Sequence, residues 1–108
     1  MSGLSTHVLD AMNGTPAAGI AVSLFGTGAE ALTTTTTDVD GRVPELAPGP
    51  LEPGVYRLSF DTGSYFAQLD VPTFYPEVSI SFTVTSTDAH YHVPLLLSPY
   101  AYSTYRGS

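Results

Sequence analysis

Short runs in which apolar and polar residues alternate at every second position recur along the chain, separated by clusters of Gly, Pro, Asn and Asp. The clearest is 77–85, where Val78, Ile80, Phe82 and Val84 interleave with Ser79, Ser81, Thr83 and Thr85. Successive side chains of an extended segment point to opposite faces, so this one packs one face and wets the other. The same period predicts strands over about 5–11, 20–25, 31–38, 55–60, 77–85, 90–97 and 101–106. Asn13-Gly14-Thr15-Pro16, Asp40-Gly41 and the corner made by Pro48-Gly49-Pro50 and Pro53-Gly54 carry turn chemistry between them. The Thr33–Thr37 run is strand material as well, because β-branched side chains suit a pleated surface.

One segment has a helical period instead. Asp61 or Thr62 can cap it, and Tyr65, Phe66 and Leu69 fall on one stripe over two turns. A helix this short depends on packing against a sheet. Seven strands, one small helix and no internal repeat predict an all-β antiparallel sandwich. With 108 residues, the chain is expected to be one domain, 1–108, with a modest core.

Composition narrows the function. Hydrophobic residues make up 43% and charged residues 12%, too apolar for a disordered chain and low enough in charge to point to surface buried against a partner. Three Arg and no Lys against ten acidic residues give a net charge of −7, which sets aside nucleic acids and anionic membranes as partners. The start of the chain has no basic region, its apolar runs are too short to span a bilayer, and Ser2 excludes N-myristoylation. A cytoplasmic location is therefore expected, with a peroxisomal route as the alternative. The absence of Cys removes disulfides, thiolate metal sites and thiol nucleophiles, leaving His, carboxylates, hydroxyls and Arg to carry any chemistry.

Strand alternation places His90, His92, Pro94 and Leu96 on one face of the penultimate strand, His7 with Leu9 on the first, and Ala101, Ser103 and Tyr105 together on the last. His90, at a strand start, fits a solvated surface residue. His92 lies inside an apolar strand, where an imidazole needs a partner. Two same-face imidazoles and a third His could hold zinc, but the spacing is weakly specific and no Cys or paired carboxylate completes the set. Asp38-Val39-Asp40-Gly41 begins like a calcium loop but lacks its later ligands, and reads as a turn. Ser98 and Ser103 have no nucleophile elbow around them. Arg57 fits a surface residue, whereas Arg42, beside a Gly turn, and Arg106, near the terminus, look placed. A guanidinium offers two parallel donors to a carbonyl, enolate or carboxylate. Two of them with two imidazoles would suit a small anionic substrate rich in carbonyls.

The segments "LSTHVLDAMNGTPA" at 4–17, "TDVDGR" at 37–42, "FDTGSYF" at 60–66, "FYPEVSISF" at 74–82 and "HYHVPLLLSPYAYSTYRGS" at 90–108 together resemble the 5-hydroxyisourate hydrolases, the enzyme relatives of transthyretin. In that family the terminal Tyr105-Arg106-Gly107-Ser108 motif separates the enzymes from the hormone carriers. The resemblance implies a transthyretin-like sandwich of eight strands, one more than the alternation predicts, with the missing strand around 43–47 where prolines obscure it. It implies a homotetramer, a dimer of dimers with active sites in a central channel. The reaction it implies is hydrolytic opening of the six-membered ring of 5-hydroxyisourate in urate degradation, with no metal or organic cofactor. It places catalytic roles on His7, Arg42, His92 and Ser108 and substrate binding on His7, Arg42, Tyr105, Arg106 and Gly107. His90 would stay outside the pocket or support it from behind. The alternatives are a non-catalytic carrier of small aromatic ligands and a plain sandwich interaction module.

Overall fold

The computed structural model describes residues 3–107. Nine strands and one helix follow in the order β1 (Gly3–Asp10), β2 (Thr15–Pro16), β3 (Ala21–Phe25), β4 (Ala31–Thr36), β5 (Arg42–Val43), β6 (Gly54–Phe60), α1 (Thr62–Gln68), β7 (Val78–Val84), β8 (His90–Ser98) and β9 (Ala101–Thr104). They form two layers. One sheet runs β2-β1-β8-β9, with β5 also paired to β1, and the other runs β4-β3-β6-β7. The predicted sandwich is present, and its main strands fall within about two residues of the predicted bounds, the usual uncertainty of strand ends.

Three local features depart from the sequence expectation, each for a physical reason. First, β1 and β8 run parallel, with Ser5 opposite His92 and His7 opposite Pro94, while every other pair is antiparallel. Chain alternation carries no information about strand direction. Second, the extra strand expected around 43–47 is the two-residue β5, set against Thr6 and His7. It stops at Pro44, which has no N–H, although Leu46 N–H donates to the Leu4 carbonyl at 2.7 Å a little further on. Third, β9 ends at Thr104 rather than 106, because the next position of the ladder faces Pro94. The Pro94 carbonyl points to β9 and accepts from Thr104 Oγ1 at 2.6 Å, but there is no Pro94 N–H to continue the pairing.

The core lies between the sheets. Leu4, Val8, Val22, Leu24, Leu58, Phe60, Leu95 and Leu97 are buried from alternate positions of four strands. Each large side chain removed from water contributes about 1.5–3 kcal/mol before chain entropy is subtracted. Helix α1 adds Phe66 to this core and is capped by Asp61, whose side chain accepts from Ser64 N. The expected stripe is only partly right: Leu69 is the C-cap and is 44% exposed, and Thr62 takes the buried place one turn earlier. Asp70, at φ 58°, reverses the chain, and Val71 N–H returns to the Phe66 carbonyl at 3.0 Å. Buried side-chain polar atoms are all partnered among the described residues: Thr6 donates to Val93, Thr37 to Ala17, and Asp10 accepts from Tyr65, Asn13 and Met12. Among the described residues no helix is long and apolar enough to cross a membrane.

Candidate active site

The outer face of the β1–β8 pair carries the candidate chemistry. Because the two strands run parallel in register, Gly3, Ser5 and His7 lie beside His90, His92 and Pro94 on this face. On the other edge of β1, His7 faces Arg42 directly across β5. Residues 87 positions apart across β1 and β8, and 35 apart across β1 and β5, are thus neighbours.

The Asp38–Gly41 segment is the turn expected from its sequence, and it positions two of these groups. Asp38 Oδ1 accepts from the N–H of Asp40 and of Arg42, both at 2.9 Å, and its carbonyl accepts from Gly41 N–H at 2.9 Å. Gly41 has φ 74° and packs so tightly against the edge of β1 that a Cβ there would collide with the Val8 carbonyl oxygen. The turn therefore delivers Arg42 to β5 in one register. It also presents the Asp40 carbonyl to His7 Nε2 at 3.0 Å. A carbonyl only accepts, so His7 Nε2 carries a proton and Nδ1 is the free position of a neutral His7.

His92 is held on both edges of its ring. Ser5 Oγ lies 2.8 Å from Nδ1. On the opposite edge the tail passes so close that a Cβ on Gly107 would lie 2.5 Å from His92 Cδ2, and Gly107 N–H donates to the His92 carbonyl at 2.8 Å. The remaining ring nitrogen, Nε2, makes no hydrogen bond among the described residues. The His92 pKa lies below its ordinary value of 6.5, chiefly because partial burial disfavours the imidazolium, and further because of the charge of Arg42 and the charge that His7 and His90 carry when protonated. His92 is thus a neutral imidazole at neutral pH.

The structure brings His7, Arg42, His92 and Gly107 together and places Tyr105 and Arg106 elsewhere within the single chain. Arg106 lies on the opposite side of β8, its guanidinium carbon 4.7 Å from the centre of the Tyr91 ring. With Tyr105, Tyr91, Ile80 and Phe82 it lines a cleft of about 290 Å³ at the edge between the two sheets. This cleft is why Ile80 and Phe82 are only half-buried on an otherwise core-facing stripe. Ser108 lies outside the described residues. Arg57, expected at the surface, stacks on Phe25 with its guanidinium carbon 4.1 Å from the ring centre. Among the described residues no group of three or more His, Asp or Glu side chains is arranged to hold a metal ion.

Sequence reasoning missed Ser5. Its side chain touches two imidazoles, being also 2.9 Å from His90 Nε2. Alternation does put Ser5 on the His7 face, but only the parallel pairing with β8 sets it against His92.

The sequence model of the HIUase/Transthyretin family matches residues 4–107, which takes in His7, Arg42, His92 and Gly107. The chain belongs to the HIUase/Transthyretin family. A curated member from Pseudomonas aeruginosa, named 5-hydroxyisourate hydrolase, is 47% identical over 117 residues, covering 100% of this chain and 93% of the relative. Among solved structures, the 5-hydroxyisourate hydrolase of Klebsiella pneumoniae superposes with a TM-score of 0.90 at 40% identity, over 98% of this chain and 99% of that one. Transthyretin from Sparus aurata also superposes with a TM-score of 0.90, at 31% identity, over 97% of this chain and 96% of that one. The solved hydrolase and the solved transthyretin superpose equally well, so the fold does not distinguish between them.

Proposed function

We propose that the chain is a 5-hydroxyisourate hydrolase, opening the ring amide of its substrate in urate degradation. The observation that carries this reading is His92: a neutral imidazole with Nε2 free, on a face shared with His7 and Arg42. The full-length similarity to proteins named as this enzyme supports the substrate.

In this reading His92 Nε2 is the general base. Water attacks the ring carbonyl as Nε2 takes its proton. Arg42 faces the oxygen on which charge develops, a role for which one well-placed donor is worth about 10²–10³ in kcat. The tetrahedral intermediate collapses with cleavage of the ring C–N bond, and the imidazolium returns the proton to the leaving nitrogen. The product is 2-oxo-4-hydroxy-4-carboxy-5-ureidoimidazoline. His7, fixed by the Asp40 carbonyl, orients the substrate from the other side through Nδ1. No cofactor is invoked.

The proposed assembly is a homotetramer of one transthyretin-like domain, 1–108, in the cytoplasm. Tyr105 and Arg106, which lie across β8 from His92 in one chain, complete the substrate pocket where subunits meet. Ser108 is assigned a catalytic role in the same pocket.

The test is to generate 5-hydroxyisourate from urate with urate oxidase and follow its ultraviolet decay with and without the protein, alongside a variant lacking 105–108. Accelerated decay that is lost on truncation supports the hydrolase. No acceleration by a tetrameric protein would turn the reading to a carrier of small aromatic ligands.

A further inference from the structure

The Ser5 hydroxyl bridges two imidazoles, at 2.9 Å from His90 Nε2 and 2.8 Å from His92 Nδ1. It has one proton, so it donates to one ring and accepts an N–H from the other. The two directions have opposite consequences. If His90 Nε2–H donates to Ser5 and Ser5 donates to His92 Nδ1, the outward Nε2 of His92 carries a proton and cannot act as a base. If the chain runs the other way, His92 Nδ1–H donates to Ser5, Ser5 donates to His90 Nε2, and His92 Nε2 presents a lone pair.

Glu45 favours the second direction. A Cβ built on Gly3 would lie 2.9 Å from Glu45 Oε2 and 3.1 Å from His90 Nδ1, so the carboxylate and that ring nitrogen flank the same small gap beside Gly3 without a hydrogen bond or ion pair between them. The carboxylate is held there, because its Oε1 accepts from Ala47 N–H at 3.2 Å and Leu4 N–H at 3.4 Å. Without a hydrogen bond to His90 the carboxylate acts by its charge, which favours a proton on the ring nitrogen facing it, His90 Nδ1. His90 Nε2 is then the acceptor, and the direction of the whole chain follows.

We propose that Ser5 and His90, oriented by Glu45, are positioning residues that hold His92 as its Nδ1–H tautomer and so leave Nε2 free to accept a proton. This deepens the hydrolase reading and rests on His92 being its base. No proton need travel along the chain: when Nε2 is protonated, the imidazolium keeps its Nδ1–H on Ser5 Oγ. The other charged or titratable groups around His92 are Arg42 and His7, from β5 and β1. Neither is hydrogen-bonded to Nδ1, so neither fixes the tautomer.

Two measurements on the full chain test this. Long-range proton–nitrogen correlation in histidine-labelled protein reports which ring nitrogen carries the proton, and steady-state hydrolysis reports the consequence. Wild type is expected to show His92 and His90 both protonated at Nδ1. Ser5→Ala should move His92 toward the Nε2–H tautomer and lower kcat about 10- to 100-fold, with little change in KM. Ser5→Thr, which keeps the hydroxyl and suits a strand, should restore both readouts. A wild-type His92 protonated at Nε2 overturns the proposal, as does a Ser5→Ala protein with unchanged tautomer and kcat. If the wild type does not hydrolyse 5-hydroxyisourate at all, the hydrolase reading falls, and with it the proposed role of the tautomer.

Discussion

Gly107 lies against the imidazole of His92, with its N–H on the His92 carbonyl and no room for a side chain between them. The constraint is steric contact with Cδ2 and not backbone conformation. Gly107→Ala must therefore push the tail away or turn the ring. A misplacement of about 1 Å at a reacting group costs about 10²-fold, so kcat should fall by that order while the unfolding midpoint stays near wild type. Wild-type kcat in Gly107→Ala would show that the contact has no part in the reaction.

The second prediction concerns pH. His92 must be neutral to act as base, and burial first, then Arg42, His7 and His90, hold its pKa below 6.5. The acid limb of kcat/KM should accordingly lie below pH 6.5, with activity falling as pH drops through the His92 value. The same depression makes the His92 contribution to stability complete above pH 6.5 and progressively lost as pH falls through its folded-state value. Replacing Arg42 by Met should raise the His92 pKa toward 6.5 without passing it, since burial, the largest cause, remains. Titration of the His92 ring by NMR reads this even if turnover is lost. A pKa that fails to rise would remove Arg42 from the electrostatics of the site.

Much of this site was visible in alternation alone. His7 on one strand and His92 on another, each with its face assigned, need only the two-residue period, and the Asp40-Gly41 turn before Arg42 is written in residue types. What alternation cannot carry is pairing. The parallel β1–β8 register that brings Ser5 to His92 is a contact between residues 87 positions apart, decided by the whole sandwich. The tail illustrates a second limit. Its residues are strand formers and predict strand to 106, yet the proline that stops the ladder sits on the neighbouring strand.

Gly41 tests how tightly Arg42 is registered. Both Gly41, at φ 74°, and Gly14, at φ 69°, adopt the left-handed conformation, but a Cβ on Gly14 meets nothing within 4 Å, whereas one on Gly41 would collide with the Val8 carbonyl. Gly14→Ala should cost the conformational penalty alone, about 1–2 kcal/mol. Gly41→Ala should cost clearly more, with a Tm loss well beyond the roughly 5–10 °C expected for Gly14→Ala, together with loss of turnover as Arg42 leaves its place opposite His7. Equal Tm losses for the two variants would mean that the turn yields easily and does not fix Arg42.

Pro94 gives the last test, because it separates stability from activity. Ser98 and Ala101 close the β8–β9 hairpin, so Leu96 with Ser103 and Pro94 with Tyr105 are the successive positions at which N–H and carbonyl groups would be exchanged. Pro94 has no N–H, the exchange fails there, and the tail turns toward His92, where Gly107 N–H finds the next carbonyl. Pro94→Ala supplies the missing donor on the β9 side. The new N–H can bond the Tyr105 carbonyl and extend β9, drawing the tail into the ladder and Gly107 away from the imidazole. The expected result is an unfolding midpoint equal to or above wild type, hydrogen-exchange protection of the new residue 94 amide, and kcat reduced by up to about 10²-fold. Protection without loss of turnover would show that the tail can be re-routed freely, and that the proline is there for the strand and not for the site.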